Sequence, residues 1–274
     1  MTDTTPRTGY APVNGLHMYY EIHGTGQPLV LLHGALGAID LWGPILEALA
    51  GRQQVIAVEL QGHGHTADVD RPFSYEQLAD DVAALLDHLG IAQADIAGYS
   101  MGGDTALRMA SRHPERVRKL VAISAKFRYD GEYPEVLAGL EALTPEFLAG
   151  TPFEEWYLRS APNPENFSVL VEKIKVFLAK EFAWSEADMR SIAAPTFIVI
   201  GDSDTVRPEH AVELFRLLGG GVPADLTDRL PNSRLAILPG TTHLTIVTER
   251  SDRLLPLIEE FLDAPRPEGG FAPA

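Results

Sequence analysis

The sequence predicts an α/β fold: a doubly wound, mostly parallel sheet with helices on both faces, interrupted by a helical insertion. Short unbroken apolar runs alternate with amphipathic helical patterns over residues 28–123 and again over 196–262, and this alternation is typical of parallel sheets. From about residue 129 to 192 the alternation stops, and prolines divide the segment into short helical patterns. We therefore expect a core formed by residues 1–128 and 193–274 and a helical cap formed by residues 129–192.

The first half of the core begins with an antiparallel hairpin. Asn14-Gly15 separates two segments of high strand propensity, and this dipeptide suits the positive φ angles of a two-residue turn. A helix is predicted near residues 41–49, and a second follows Ser74-Tyr75-Glu76-Gln77, which matches a capping box. Unbroken apolar runs predict strands at residues 28–32, 54–58, 94–97 and 120–123.

Helix-start signals and apolar runs also predict the elements of the insertion and of the second half of the core. Within the insertion, Thr151-Pro152 and Ser185 to Asp188 indicate helix starts, since Ser and Thr are favoured N-caps and Pro fits the first helical position. Beyond it we predict strands at residues 196–200 and 235–238 and helices at residues 209–218 and 252–262.

Composition limits the classes of partner. The chain has 22 Lys and Arg against 38 Asp and Glu, a net charge of −16, and no run of basic residues, which argues against nucleic acid and anionic membrane surfaces. The N-terminal segment is polar, and no stretch reaches about 18 apolar residues. We therefore expect a cytoplasmic protein without membrane insertion that acts on a small molecule. The oligomeric state is not determined by the sequence.

A serine nucleophile is predicted by the segment GYSMGG at residues 98–103. The segment follows a predicted strand and precedes a helical pattern. A sharp turn between a strand and a helix exposes the serine Oγ, and glycines two residues to either side avoid the clashes that Cβ atoms would cause there. The helix N-terminus also directs free N–H groups toward the negative charge that develops on attack. Ser100 is the candidate nucleophile.

A base and an acid are sought at the carboxyl ends of the other strands, where a doubly wound sheet binds its ligands. His243 follows Pro239-Gly240-Thr241-Thr242, which we expect to form a loop after the last strand, and it is the candidate base. Asp202 and Asp204 both follow the strand at residues 196–200. We expect one of them to face His243 and the other to cap the turn.

Two backbone N–H groups are expected to bind the oxyanion. His33-Gly34 ends the strand at residues 28–32, and a turn there presents the N–H of Ala35 beside that of Met101. The side chain of His33 is expected to have a structural role in this turn.

No metal and no cofactor are expected. His63 and His65 lie in the segment QGHGH, but the sequence offers no third ligand at helical or hairpin spacing, which favours a structural loop. The chain has no cysteine, so disulfides, thiolate catalysis and thiolate metal sites are excluded.

The ordered set of motifs resembles the α/β-hydrolase superfamily over roughly residues 10–263. These motifs are, in chain order, His33-Gly34, Gly62-His63-Gly64, residues 98–103, Gly201 to Asp204, and His243. The resemblance implies the triad order Ser, Asp, His. It places the acid on Asp204, the last residue of a G-x-x-D turn, with Asp202 as the fallback. The family's alternative acid position, after the preceding strand, holds Ser124-Ala125-Lys126 and no carboxylate. One departure is Thr242, where the family usually has glycine before the base.

The resemblance also limits the chemistry. Family members that open epoxides or displace halide have an aspartate at the position of Ser100, so both reactions are excluded. We expect a serine hydrolase, a carboxylesterase acting on a small ester or lactone through an acyl-enzyme. Perhydrolysis, C–C hydrolysis of diketones of the meta-cleavage type and a receptor-like ligand-binding role stay open. Trp156 and Phe153, aromatic residues of the predicted cap, are candidate substrate contacts, with packing of the cap itself as the equal alternative.

Overall fold

The computed structural model describes residues 5–223, 225 and 230–265. They form an eight-stranded sheet in the order β1-β2-β4-β3-β5-β6-β7-β8. Pairing is antiparallel for β1 with β2 and for β2 with β4, and parallel elsewhere, which confirms the predicted fold class. The strands are β1 (Arg7–Val13), β2 (Leu16–His23), β3 (Pro28–Leu32), β4 (Gln54–Val58), β5 (Ala94–Tyr99), β6 (Val117–Ile123), β7 (Thr196–Ser203) and β8 (Ser233–Thr242).

Helices cover both faces of the sheet, so its central strands are buried on both sides. In β3, for example, Leu29 and Leu31 belong to the apolar cluster on one face, and Val30 and Leu32 belong to the cluster on the other. The helices are α1 (Gly43–Ala50), α2 (Tyr75–His88), α3 (Met101–Arg112), α4 (Pro134–Gly139), α5 (Pro145–Leu148), α6 (Pro152–Ser160), α7 (Phe167–Ala179), α8 (Glu186–Arg190), α9 (Pro208–Leu217), α10 (Thr245–Thr248) and α11 (Ser251–Asp263).

Several local signals of the sequence agree with the structure, one agrees only in part and one is wrong. Asn14 and Gly15 have φ angles of 47° and 86° in the β1–β2 turn, as the predicted hairpin requires. Ser185 and Asp188 form a complete capping box at α8. At α2 the capping-box prediction is only half right, because the Gln77 side chain donates to Asp81 instead of returning to Ser74.

The prediction that is wrong concerns the predicted loop before His243. Residues 239–242 belong to β8 and continue it, with a register shift in its pairing to β7. Because β8 is an edge strand, it tolerates the missing N–H of Pro239. His243 therefore directly follows a strand.

Residues 129–192, called here the helical segment, consist of α4 to α8 linked by short 3₁₀ turns. Prolines begin α4, α5 and α6 at the first helical position, which explains why the segment is divided into short helices. Residues 1–4 and 266–274 of the predicted core lie outside the described residues. None of the helices in the described part of the chain is long and apolar enough to cross a bilayer.

Candidate active site

Ser100 occupies a strained turn between β5 and α3. Its φ of 55° and ψ of −123° lie outside the regions favoured for residues other than glycine. A Cβ at Gly98 would approach the carbonyl oxygen of Gly102 to 2.1 Å, and one at Gly102 would approach that of Leu32 to 2.2 Å. The flanking glycines are therefore required by the close approach of the backbone.

A continuous chain of hydrogen bonds joins the three residues predicted for the triad. His243 Nε2 lies 2.9 Å from Ser100 Oγ, and His243 Nδ1 lies 2.7 Å from Asp204 Oδ1. This arrangement fixes the tautomer in which Nδ1 donates to the carboxylate and Nε2 is free to accept the serine proton. The Nδ1 atom also lies 3.0 Å from the Oγ1 of Thr205.

Asp204 is buried and is held on both of its oxygens. Oδ2 accepts from the Oγ of Ser124 at 2.5 Å and from the N–H of Gly201 at 3.1 Å, while Oδ1 also accepts from the N–H of Val206 at 3.2 Å. Burial acts to raise the pKa of Asp204, but the hydrogen bonds from His243, Ser124 and Gly201 outweigh it and hold that pKa below its usual value.

Ser124 was not singled out from the sequence as a functional residue. In the sequence it is a polar residue directly after β6, at the position where some members of the superfamily have the acid. Its φ of 51° is strained, and its hydroxyl donates to the Asp204 carboxylate across the strand ends. Ser124 therefore orients the carboxylate of Asp204.

The side chain of Asp202 does not contact His243 and lies at the end of β8. This side chain is exposed, and its Oδ1 accepts from the N–H of Thr241 at 3.1 Å. Hydrogen bonds from the backbone of Gly240 and Thr241 hold the pKa of Asp202 below its usual value. The structure therefore brings Asp204 to His243 and leaves Asp202 as a cap on the end of β8. Thr242 is the last residue of that strand, and the positive φ of this stretch, 60°, falls on Gly240.

The turn after β3 lies against Ser100. A Cβ at Gly34 would come within 3.3 Å of the Cβ of Ser100, and both Ala35 and Met101 line the cavity at Ser100. The next residue, Leu36, has a φ of 60° and donates its N–H to Nε2 of His63 at 3.0 Å. The strained turn is thus fixed by a side chain from another loop.

A cavity of about 680 Å³ opens beside the triad, within the size range of sites that bind small molecules. Phe153 lines it. Trp156 does not, and instead packs edge-on against Phe153 with ring centroids 5.6 Å apart. Apolar side chains of the helical segment form much of the wall: Val136, Leu140, Leu143, Leu148, Phe153 and Leu178.

Comparisons with known proteins identify the family. A family model described as the α/β-hydrolase fold matches residues 27–155. The chain is 32% identical over 239 residues to a putative carbamate hydrolase, RutD, of Azorhizobium caulinodans, covering 78% of this chain and 86% of that protein. The chain belongs to the α/β-hydrolase superfamily.

Other members of the superfamily are also similar to this α/β hydrolase. A 2-hydroxymuconate semialdehyde hydrolase of Pseudomonas putida is 28% identical over 260 residues, covering 87% of this chain and 88% of that protein. The crystal structure of an enol-lactonase from Burkholderia xenovorans superposes with a TM-score of 0.72 at 24% identity, covering 93% of this chain and all of that one. The similarity to the enol-lactonase is a similarity of fold.

Two buried histidines brace the turn after β3 of this α/β hydrolase. His33 Nε2 accepts from the N–H of Leu60 at 3.1 Å, and its Nδ1 lies 2.7 Å from the carbonyl oxygen of Gly34. His63 makes the equivalent pair of contacts with Leu36 and Gln61. Burial lowers the pKa of His33 to about 3 and that of His63 to about 4, so both rings are neutral and structural. The described residues include no group of three or more potential metal ligands.

These histidines predict how stability depends on pH. Unfolded His63 protonates near pH 6.5, whereas the folded ring has a pKa of about 4. Between these values the unfolded chain binds a proton that the folded protein does not, so the free energy of unfolding falls as the pH is lowered. We expect His63→Gln to flatten this dependence by about 1.4 kcal/mol per pH unit, measured by urea unfolding from pH 7 to pH 4. Equal slopes in both proteins would contradict the role assigned to His63, and the exposed His88→Gln is the matched control.

Part of the cavity wall is polar and charged. Asp104 of α3, Lys126 and Glu132 line it together. Asp104 accepts from the N–H of Lys126 at 2.7 Å and from the hydroxyl of Tyr75 at 2.9 Å. Burial raises the pKa of Asp104 to about 7. None of these residues was predicted from the sequence, because Tyr75 and Asp104 are distant in the chain from Lys126 and Glu132 and no motif links them.

Proposed function

We propose that this α/β hydrolase is a serine carboxylesterase that cleaves small esters or lactones. The observation that carries the proposal is the hydrogen-bonded chain from Ser100 through His243 to Asp204, placed at a mainly apolar cavity. A strained serine at a strand-to-helix turn with an aligned base and acid is the arrangement used for acyl transfer.

The proposed reaction has two halves. His243 Nε2 takes the proton of Ser100 as Oγ attacks the substrate carbonyl, and the N–H groups of Ala35 and Met101 bind the oxyanion. His243 then gives the proton to the leaving alcohol, and the C–O bond breaks to leave an acyl-enzyme. In the second half, His243 deprotonates a water that attacks the acyl carbonyl, and Ser100 regains its proton as the acid product leaves.

In this proposal the helical segment acts as a cap over the core. Its side chains supply much of the apolar wall beside Ser100, so the acyl group of the substrate lies between the nucleophile and α4 to α7. Two isolated β-bridges connect the segment to the core: Ala183 pairs with Arg128, just before the segment, and Glu132 pairs with Val206 in the loop after β7. A closed cap of this kind favours short to medium acyl chains.

Phe153 tests the cap directly. Each methylene that fits the cavity gains about 0.8 kcal/mol, so kcat/KM for para-nitrophenyl esters should rise with acyl chain length and then drop once the chain meets the cap. We expect Phe153→Ala to move the optimum to longer chains because it removes a ring from the wall. Trp156→Ala is the matched control, since Trp156 packs behind Phe153 without lining the cavity. An unchanged profile in a folded Phe153→Ala variant would remove Phe153 from the site.

The same substrates test the proposed reaction against its alternatives. Assaying a vinylogous diketone together with the esters distinguishes C–C hydrolysis from ester hydrolysis. C–C hydrolysis is the alternative because the chain is similar to a 2-hydroxymuconate semialdehyde hydrolase. Steady ester turnover that Ser100→Ala abolishes supports the carboxylesterase. Stoichiometric ligand binding with negligible turnover would favour a receptor-like protein, and faster cleavage of the diketone would favour the C–C hydrolase.

A further inference from the structure

The charged part of the cavity wall is formed by Asp104, Lys126 and Glu132. Lys126 and Asp104 are buried, and Glu132 is largely covered. The Nζ of Lys126 forms an ion pair with Oε2 of Glu132, and Oε1 of Glu132 accepts from the hydroxyl of Thr205 at 3.3 Å. This group is called the charged wall below.

The charged wall contains two acids and one base. Among the described residues that line the cavity, Lys126 is the one lysine or arginine, and its charge is already neutralised by Glu132. Asp104 adds a second carboxyl group on the same wall. The wall therefore offers no uncompensated positive charge to a ligand.

We propose that the charged wall is a charge filter, in which Glu132 holds Lys126 so that esters with an uncharged acyl chain are accepted and those with a carboxylate on that chain are rejected. This inference rests on the proposed esterase function and names its substrate class. It assigns the specificity-determining role to Glu132.

The physical reason is the cost of moving a carboxylate out of water. A charge buried without a partner is strongly disfavoured, and nearby carboxylates add repulsion. An anionic acyl chain could gain a partner only by competing with Glu132 for Lys126. If the charge of Glu132 is removed, the ammonium group of Lys126 becomes available, and the wall changes from a barrier into a site for an anion.

Two esters of matched length test the filter. The para-nitrophenyl ester of hexanoic acid and the mono-para-nitrophenyl ester of adipic acid have acyl chains of equal length that end in a methyl group and in a carboxylate. For the wild type we expect kcat/KM to favour the hexanoate by about 100-fold or more. In Glu132→Gln the ratio of adipate to hexanoate should rise by about tenfold or more. Using the ratio removes any general effect of the substitution on turnover.

Glu135→Gln is the matched control, because Glu135 is an exposed carboxylate of α4 that does not line the cavity. This variant makes the same change in net charge and should leave the ratio at the wild-type value. Asp104→Asn supplies an independent variant if Glu132→Gln does not fold. At about pH 8, above the pKa of about 7 that burial gives Asp104, this variant removes a negative charge from the same wall and should also raise the ratio.

The outcomes are distinct. Equal hydrolysis of the two esters by the wild type would overturn the filter, and so would a ratio that is unchanged in a folded Glu132→Gln or raised equally by Glu135→Gln. Failure of the wild type to hydrolyse either ester would instead count against the proposed esterase function. A higher ratio in Glu132→Gln and Asp104→Asn, with Glu135→Gln unchanged, supports the inference.

Discussion

Replacing Ser100 or His243 by alanine is expected to lower kcat by roughly 10⁴-fold to 10⁶-fold, and the double variant is expected to be little worse than either single one. The reason is that His243 acts by taking the proton of Ser100, to which its Nε2 is hydrogen-bonded at 2.9 Å. Once either partner is absent, the other has no step to perform. The measurement is kcat for a short-chain para-nitrophenyl ester in the wild type and the three variants.

Ser111→Ala is the control for this comparison, since Ser111 lies near the other end of α3 and its hydroxyl donates to the backbone of Arg108. It should retain wild-type activity. A double-variant loss equal to the product of the two single losses would show that Ser100 and His243 act in separate steps, and it would contradict the proposed mechanism.

Most of the fold could be predicted because its strands carry strong local signals. The run Pro28–Leu32 is apolar at successive positions and too short for a helix, which is typical of a strand covered on both faces, and the structure gives β3 the predicted bounds. The extension of β8 through Pro239 and Gly240 could not be predicted in the same way. Whether proline ends a strand depends on whether that strand lies at the edge of the sheet, and this is a property of the tertiary fold.

The residues of the candidate site also differ in whether a local sequence signal marks them. Ser100 is marked by a local motif, because the turn needs glycines at fixed positions around it. His243 is marked by its place after the last strand. By contrast, Ser124 and Glu132 carry no motif. Ser124 matters through Asp204, which is 80 residues away in the sequence, and Glu132 matters through its ion pair with Lys126 in the stretch that links β6 to α4.

The choice between Asp202 and Asp204 could not be made from the sequence, because both come within four residues of the end of the predicted strand at residues 196–200 and the direction of each side chain depends on the turn. The structure distinguishes them by environment. Asp204 is 6% exposed and bonds to Nδ1 of His243, whereas Asp202 is exposed and accepts from the backbone of β8. Removing the charge of Asp204 is therefore expected to affect His243 directly, whereas removing the charge of Asp202 is not.

Asp204→Asn is expected to lower kcat by about 10⁴-fold, and Asp202→Asn by less than about tenfold. An amide at position 204 can donate to Nδ1 of His243, which favours the tautomer with its proton on Nε2 and leaves no lone pair to accept the proton of Ser100. At position 202 the amide oxygen can still accept from the N–H of Thr241, so Asp202→Asn is the matched control for loss of a carboxylate at the same strand end. Both variants are compared in kcat on one short-chain ester, with urea unfolding to verify that each is folded. A larger loss in Asp202→Asn than in Asp204→Asn would transfer the role of the acid to Asp202 and contradict the assignment made from the 2.7 Å contact.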